Sequence, residues 1–350
     1  MAQIRSVTAE ILTDRTLSNL VVEVEDTDGV VGQGEAWWGI KDAAEPGREA
    51  RPIKSVVDDL LAPRLVGREA DEIESIWFEL SDWGYRYADQ GIFTMGLSGV
   101  DLALWDLLGK RLNRPVMSLF GGPAQAAIRG YASLPPLREP ALLVAETARA
   151  IEYGFTAVKL HELDPELTGL LRTEFGDSLD IMVDVNGHFD VVEAIEHGRR
   201  LGQFGIVWFE EPVRPMRDHR AITRVAAAVP CAVAGGENEY TLEDFDRLLR
   251  TGAITYLQPE ITKIGGLTAA RRVSTLAELH SVALSPHNFR LGPALYASIQ
   301  WGFTSPATKW LEIPWVRPQV GFSHRAQLPP LVDGMVLPPA GPGLGVVIAD

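Results

Sequence analysis

The chain has 350 residues, 46% hydrophobic and 23% charged, a balance that suits a folded barrel-sized domain plus an accessory domain. Its 47 acidic and 32 basic residues give a formal charge of −15, which disfavours nucleic acid and anionic lipid as partners. A single cysteine, Cys231, excludes an intrachain disulfide; with no signal-like start and no membrane-length apolar run, a cytoplasmic protein is expected.

In chain order, residues 3–12, 19–26 and 30–36 read as strands, with "TDG" (27–29) supplying a turn. Helical spacing is expected over 47–62 and 71–81. It also covers 93–112, where Leu97, Val100, Leu104, Leu107 and Leu108 recur at three and four residues. "GGP" (121–123) marks a boundary. From about residue 128 short apolar runs alternate with amphipathic stretches, the pattern of repeated βα units. Eight runs qualify: 128–134, 155–161, 179–186, 205–211, 231–238, 254–260, 282–288 and 308–314. Eight strands with helical crossovers point to a closed parallel barrel. The proline- and glycine-rich tail after Pro314 is expected to leave the barrel and pack back on the N-terminal domain.

The carboxyl ends of these runs carry polar residues: Lys159 with His161, Asp184 with Asn186, Glu210 with Glu211, then Glu237, Glu260, His287 and Glu312. A barrel gathers strand ends on one face, so residues some 23 to 27 positions apart become neighbours. Asp184, Glu210 and Glu237 fall on three consecutive strands. Carboxylates that close repel one another unless a cation sits between them. A set made only of hard oxygen ligands favours Mg²⁺ over zinc. The plainer alternative is that each acid pairs with a nearby Lys or Arg. Lys159 and His161, two apart on one strand, point to the same side, and His287 lies on the far side of the acidic trio. Two bases flanking a metal suit proton abstraction next to a carboxylate, with the metal holding the carboxylate oxygens.

The chain resembles the enolase superfamily, of the mandelate racemase and muconate-lactonizing type. The matching motifs are "VKLH" (158–161), "VDVN" (183–186), "WFEEP" (208–212), "GGEN" (235–238), "QPEITKIGG" (258–266), "SPHN" (285–288) and "WLE" (310–312). "GQGEA" (32–36) and "GVDLALWDLLGKRLNRPVMSLFGG" (99–122) match in the N-terminal part. The resemblance implies a (β/α)₇β TIM-type barrel at 123–318 and an α+β capping domain built from residues 1–122 and the tail, 319–350. It implies Mg²⁺ held by Asp184, Glu210 and Glu237, and a small-molecule carboxylate substrate such as an acid sugar. It further implies Lys159 and His161 on one side of the substrate and a His287–Glu260 dyad on the other. Glu312 would donate a hydrogen bond to the substrate carboxylate, which requires a proton and hence a raised pKa. Glu211 would stand behind the ligands or form a structural ion pair. A homo-oligomer is a further family-level expectation.

The chain departs from the family at three places. His161 stands where a lysine is usual, and a neutral imidazole would be the weaker cation. Glu260 replaces an aspartate. The segment 13–18 is short, leaving "WWGIK" (37–41) and "YRY" (85–87) to cover the pocket. His188 is a candidate acid for a leaving group or a plain loop residue, and Lys263 is expected to pair with Glu237 or Glu260. His197, His219, His280 and His324 receive no role. The expected reaction is dehydration of an acid sugar. The alternatives are a racemase, epimerase or cycloisomerase sharing the same half-reaction, a metal-binding barrel without catalysis, and a barrel lyase forming a Schiff base on Lys159.

Overall fold

The structure is a computed structural model and describes residues 2–13, 18–38, 47–87, 89–315 and 328–346. Strands β1 (Ile4–Thr13), β2 (Ser18–Asp26) and β3 (Val31–Ala36) form an antiparallel sheet in that order. Helices α1 (Arg51–Ser55) and α2 (Ala62–Leu65), joined by a π-helical stretch Val56–Leu61, then α3 (Ile73–Gly84) and α4 (Ile92–Arg111) complete this N-terminal cap. Leu97, Val100, Leu104 and Leu107 are buried and Leu108 is half-buried. Burying each such side chain fully stabilises by roughly 1.5–3 kcal/mol. By length and composition α4 could cross a membrane, yet its apolar stretch is 89% buried inside the fold. A helix apolar all round belongs in a core. The glycines of "GQGEA" explain how close it lies: a Cβ at Gly32 or Gly34 would come within 2.1 Å of the Ala103 or Gly99 carbonyl of α4.

The remainder alternates strand and helix: β4 (Ile128–Ser133), α5 (Pro140–Tyr153), β5 (Ala157–Leu160), α6 (Pro165–Phe175), β6 (Asp180–Asp184), α7 (Val191–Gly202) and β7 (Trp208–Glu210). Then come α8 (His219–Ala226), β8 (Ala232–Gly235), α9 (Leu242–Leu249), β9 (Tyr256–Leu257), α10 (Gly266–Leu279), β10 (Ala283–Leu284), α11 (Pro293–Phe303) and β11 (Trp310–Pro314). Every expected strand is present. Strands β4 to β10 pair in parallel, each with the next in sequence, and β11 pairs in parallel with β4. A parallel bridge, Leu284 to Thr308, lies between the β10 and β11 edges. The result is a mixed α/β fold with a curled parallel sheet and an N-terminal cap. The interior of the curl is filled by Tyr131, Met182, Trp208 and Trp310, so it is a packed floor and not a pore.

The tail differs in part from expectation. Strands β12 (Leu331–Val332) and β13 (Met335–Val336) form a hairpin, and β13 adds antiparallel to the amino end of β4. Only beyond it does the chain reach the cap, where Val116 N donates to Gly343 O at 2.9 Å and Leu344 N to Asp106 Oδ1 at 2.7 Å.

The cap is stapled to the sheet domain by buried polar pairs. Asp101 of α4 accepts from Thr268 N (3.0 Å) and Thr268 Oγ1 (2.5 Å), and Ser98 Oγ accepts from Gly265 N (2.8 Å). Glu35 of β3 accepts from Asn19 Nδ2 at 2.5 Å and from Ala294 N of α11 at 3.1 Å.

One buried group makes stability depend on pH. His197 of α7 lies between the rings of Phe189 (4.5 Å) and Phe209 (5.9 Å), and its Nε2 has no hydrogen-bond partner among the described residues. Burial, helped by Arg200, pushes its pKa down to about 4. The unfolded chain takes up this proton near 6.5 and the folded chain only near 4. The stabilisation is therefore complete above about 6.5 and is lost as the pH falls toward about 4. Replacing His197 by Leu should shrink the drop in melting temperature between pH 7 and pH 5. A variant that loses as much on acidification as the parent would place the titrating group elsewhere.

Candidate active site

The parallel register brings the acidic trio together. Asp184 at the end of β6 lies opposite Glu210 at the end of β7, and Glu210 lies opposite Ala234 of β8, three residues before Glu237. All three carboxyls are buried, and one oxygen from each lies within 4.8 Å of the others. Oxygens this close, on a donor set of carboxylates alone, fit a hard divalent cation. The trio contains Glu210, the first glutamate of "FEEP", and not Glu211. Glu211 sits at φ +43°, and its Oε1 accepts from Asn238 Nδ2 at 2.6 Å.

Each carboxylate is held by a neighbour: Asn186, named beside Asp184 from the sequence, and Asn238, Trp208 and Gln258, for which the sequence suggested no role. Asn186 donates from its backbone N to Asp184 Oδ1 (2.8 Å) and from Nδ2 to Oδ2 (3.0 Å). Asn238 Nδ2 reaches Glu237 Oε1 at 3.2 Å. Glu210 Oε2 accepts from Trp208 Nε1 (2.8 Å) and Gln258 Nε2 (2.7 Å). The motifs "VDVN" and "GGEN" carried a local signal for two of these, an asparagine two residues after Asp184 and one after Glu237; Gln258, 48 positions from Glu210, gave none.

Lys159, fully buried on β5, donates to Glu210 Oε1 at 2.8 Å and lies 2.8 Å from Glu312 Oε1 and 3.6 Å from Asp184 Oδ2. Burial opposes its charge, but Glu210, Glu312 and Asp184 together hold its pKa well above the usual lysine value. Burial also pushes Glu210 up to about 7, with Asp184, Glu312 and Glu237 adding to the push and Lys159 opposing it. A raised acid and a raised ammonium do not describe one isolated pair. They describe one ammonium shared among three carboxylates, and Lys159 is the firmly charged member. That charge argues against a Schiff base, which needs a neutral amine.

His161 corrects one expectation. Its Nδ1 lies 2.6 Å from Leu134 O and its Nε2 lies 3.2 Å from Asp184 Oδ2. Both nitrogens face acceptors. Burial and Lys159 oppose protonation, but the hydrogen bond and charge of Asp184 outweigh them and raise its pKa, which favours the imidazolium.

On the other flank His287 Nδ1 lies 2.7 Å from Glu260 Oε2 and its Nε2 lies 2.7 Å from Glu237 Oε2. Glu260 Oε1 is fixed by Thr262 N (3.0 Å) and Thr262 Oγ1 (2.7 Å), which absorbs the extra methylene and preserves the dyad. Burial opposes a charge on His287, but Glu237 and Glu312 and the two hydrogen bonds raise its pKa well above the ordinary value.

Glu312 overturns an expectation. It was expected to be protonated. Burial does push its carboxyl upward, but Lys159, His287 and a hydrogen bond with Ser133 outweigh burial and lower its pKa. Its Oε2 accepts from Asn288 N at 3.1 Å, so both oxygens act as acceptors.

Lys263 is 3.7 Å from Glu237 Oε1, donates to Glu237 O at 3.0 Å, and lies over the Trp37 ring at 4.2 Å. Trp37 reaches in from the cap to within 6.2 Å of the His287 ring. Residues 39–41 of "WWGIK" and 14–17 of the short segment lie outside the described residues. Tyr87 is exposed, its ring against Trp83 (4.8 Å) and Phe93 (6.4 Å). His188 is exposed, its ring against Phe189 at 5.2 Å. His219 pairs with Glu239 at 2.7 Å and His280 with Asp246 at 3.5 Å. His324 lies outside the described residues.

A cap, a curled parallel sheet and a carboxylate trio flanked by Lys159 and His287 describe a class of metal-assisted enzymes. The chain belongs to the enolase superfamily, in its mandelate racemase and muconate-lactonizing branch. Residues 2–121 match the mandelate racemase / muconate lactonizing enzyme N-terminal domain, and residues 143–350 match the enolase C-terminal domain-like family. It is 34% identical to 3,6-anhydro-alpha-L-galactonate cycloisomerase of Streptomyces coelicolor, over 94% of this chain and 88% of that protein. It is 32% identical to D-galactarolactone cycloisomerase of Agrobacterium fabrum, over 95% and 89% of the two chains. Against arabinonate dehydratase of Saccharolobus solfataricus the identity is 28%, over 97% and 90%. Among solved structures, a racemase from Streptomyces coelicolor with bound magnesium superposes with a TM-score of 0.84 at 30% identity, covering 99% of this chain and 97% of that one.

Proposed function

We propose that the protein removes the proton α to the carboxylate of an acid sugar or its cyclic derivative, and that a β-oxygen then leaves. The observation that carries this is the buried carboxylate trio with one ammonium and one imidazole on opposite flanks. Asp184, Glu210 and Glu237 would hold Mg²⁺, which when bound supplies positive charge to the substrate carboxylate as negative charge accumulates there. The magnesium-containing relative supports that choice of metal.

The chain's own residues divide the remaining work. His287, oriented by Glu260, moves a proton at one face of the substrate, and the Lys159 ammonium supplies positive charge at the other. His161, tethered to Leu134 O, stands as a cation-favouring imidazole beside Asp184. Glu312 anchors Lys159 as its counter-charge. The sheet is read as a (β/α)₇β barrel, supported by seven strand–helix units followed by β11 paired to β4. Residues 1–122 and 319–350 are assigned to the cap and 123–318 to the barrel; β13 ties the tail to β4 of the barrel, and Gly343 and Leu344 tie it to the cap.

Loss of the β-oxygen has two outcomes. If that oxygen is a hydroxyl it departs as water, which is dehydration, as for the arabinonate dehydratase relative. If it belongs to a ring it stays attached and the product is an isomer, and the two cycloisomerases at 34% and 32% identity favour this as the second reading. The test is a semicarbazide screen over aldonates, aldarates, their lactones and anhydro-aldonates with Mg²⁺. A keto acid lighter by one water indicates dehydration, and one of unchanged mass indicates ring opening. EDTA should abolish either. No turnover and no solvent-deuterium uptake at the α-carbon of any compound would sink the proposal.

A further inference from the structure

We propose that Trp208 and Gln258 are positioning residues that clamp one oxygen of Glu210 and leave the other alone to meet the metal. The inference rests on the reading of Glu210 as a metal ligand.

Trp208 Nε1 and Gln258 Nε2 both donate to Glu210 Oε2, at 2.8 and 2.7 Å, and all three side chains are fully buried. With two donors on Oε2, Oε1, which among the described residues accepts only from Lys159, is the oxygen left for an ion shared by the trio. The carboxylate can neither rotate to offer both oxygens nor exchange one for the other without breaking two buried, charge-assisted hydrogen bonds.

The two donors are themselves fixed. Trp208 precedes Glu210 by two residues on β7, so both side chains point into the sheet's interior. Its ring is wedged against Tyr131 (5.4 Å), Tyr256 (4.8 Å) and Trp310 (6.2 Å). The aromatic floor therefore aims the indole N–H. Gln258 Oε1 has no hydrogen-bond partner among the described residues, so its amide is oriented by the donation from Nε2 alone. A flipped amide would set its oxygen against a carboxylate. Asp184 and Glu237 are steadied by Asn186 and Asn238, which follow the strands, whereas Glu210 is held from beneath by the core. A metal ligand whose orientation is set in advance loses less freedom on binding, and such outer partners set affinity.

The experiment measures Mg²⁺ affinity by calorimetry, and Mn²⁺ affinity by electron paramagnetic resonance, in the full-length protein and in W208F, Q258M and E210Q. W208F keeps the aromatic wedge and loses the N–H. Q258M keeps the length and loses the donor. Each should weaken metal binding about ten- to a hundredfold, with the metal-free melting temperature of Q258M close to that of the parent. Retention of parental affinity by Q258M and W208F while E210Q loses it would overturn the clamp and spare the ligand assignment. E210Q binding like the parent would instead remove the ligand assignment on which the clamp depends. If W208F does not fold, Q258M decides alone.

Discussion

Replacing His287 by asparagine should abolish turnover, by about 10²- to 10⁴-fold or more, while Mg²⁺ still binds. The imidazole has one nitrogen against Glu260 and the other against Glu237, at 2.7 Å each. Asparagine can keep a polar contact on the Glu260 side but cannot carry a proton between that side and the substrate. It also removes positive charge from beside Glu237, the largest influence holding that carboxyl's pKa well below its usual value apart from the opposing burial. A divalent cation compensates for that loss, because it draws on the same carboxylate. The expected pattern is therefore a collapse of kcat with little change in metal affinity, read by steady-state kinetics and calorimetry on the same preparation. A variant that keeps most of its activity would remove His287 from the chemistry. One that loses metal and activity together would make it a structural prop of Glu237.

The contrast between Glu312 and the acidic trio shows which parts of this site a sequence can carry. Asp184, Glu210 and Glu237 were legible because each ends a buried run, and parallel register converts equal positions on neighbouring strands into proximity. Cap strands and βα units were legible for the same reason: alternation and helical spacing are local. The charge on Glu312 was not local. It is decided by Lys159, which lies 153 positions earlier in the chain and 2.8 Å away in space. The state of His161 likewise depends on Leu134 O and Asp184, neither of which its own strand contains. The Leu331–Val336 hairpin had a usable signal in Asp333–Gly334, where both residues have positive φ. It was hidden among prolines that suggested only a tail. The indole of Trp208 looked like core packing, which it also is; that its N–H ends on a ligand oxygen depends on the floor packing that sets its rotamer.

The two adjacent glutamates should separate cleanly. Glu210→Gln is expected to abolish activity and weaken Mg²⁺ binding by more than the roughly 10- to 100-fold typical of losing an outer partner, because it removes a charged oxygen from the trio itself. It also misplaces an amide: Oε2 already receives two N–H groups and Oε1 receives the Lys159 ammonium, so a new NH₂ would meet a donor at either position. Glu211→Gln has neither problem. Burial, reinforced by Glu237 and Asp184, pushes the Glu211 carboxyl well above the ordinary range, which favours the neutral acid that glutamine matches in charge and shape. One oxygen remains to accept from Asn238 Nδ2, and the other position has no partner to lose among the described residues. Its effect should stay within about tenfold, the worth of roughly one modest hydrogen bond. The comparison is of kcat/KM and Mg²⁺ affinity for the two variants side by side. Equal losses would mean that Glu211 shares the ion, and a larger loss at Glu211 would transfer the ligand role to it.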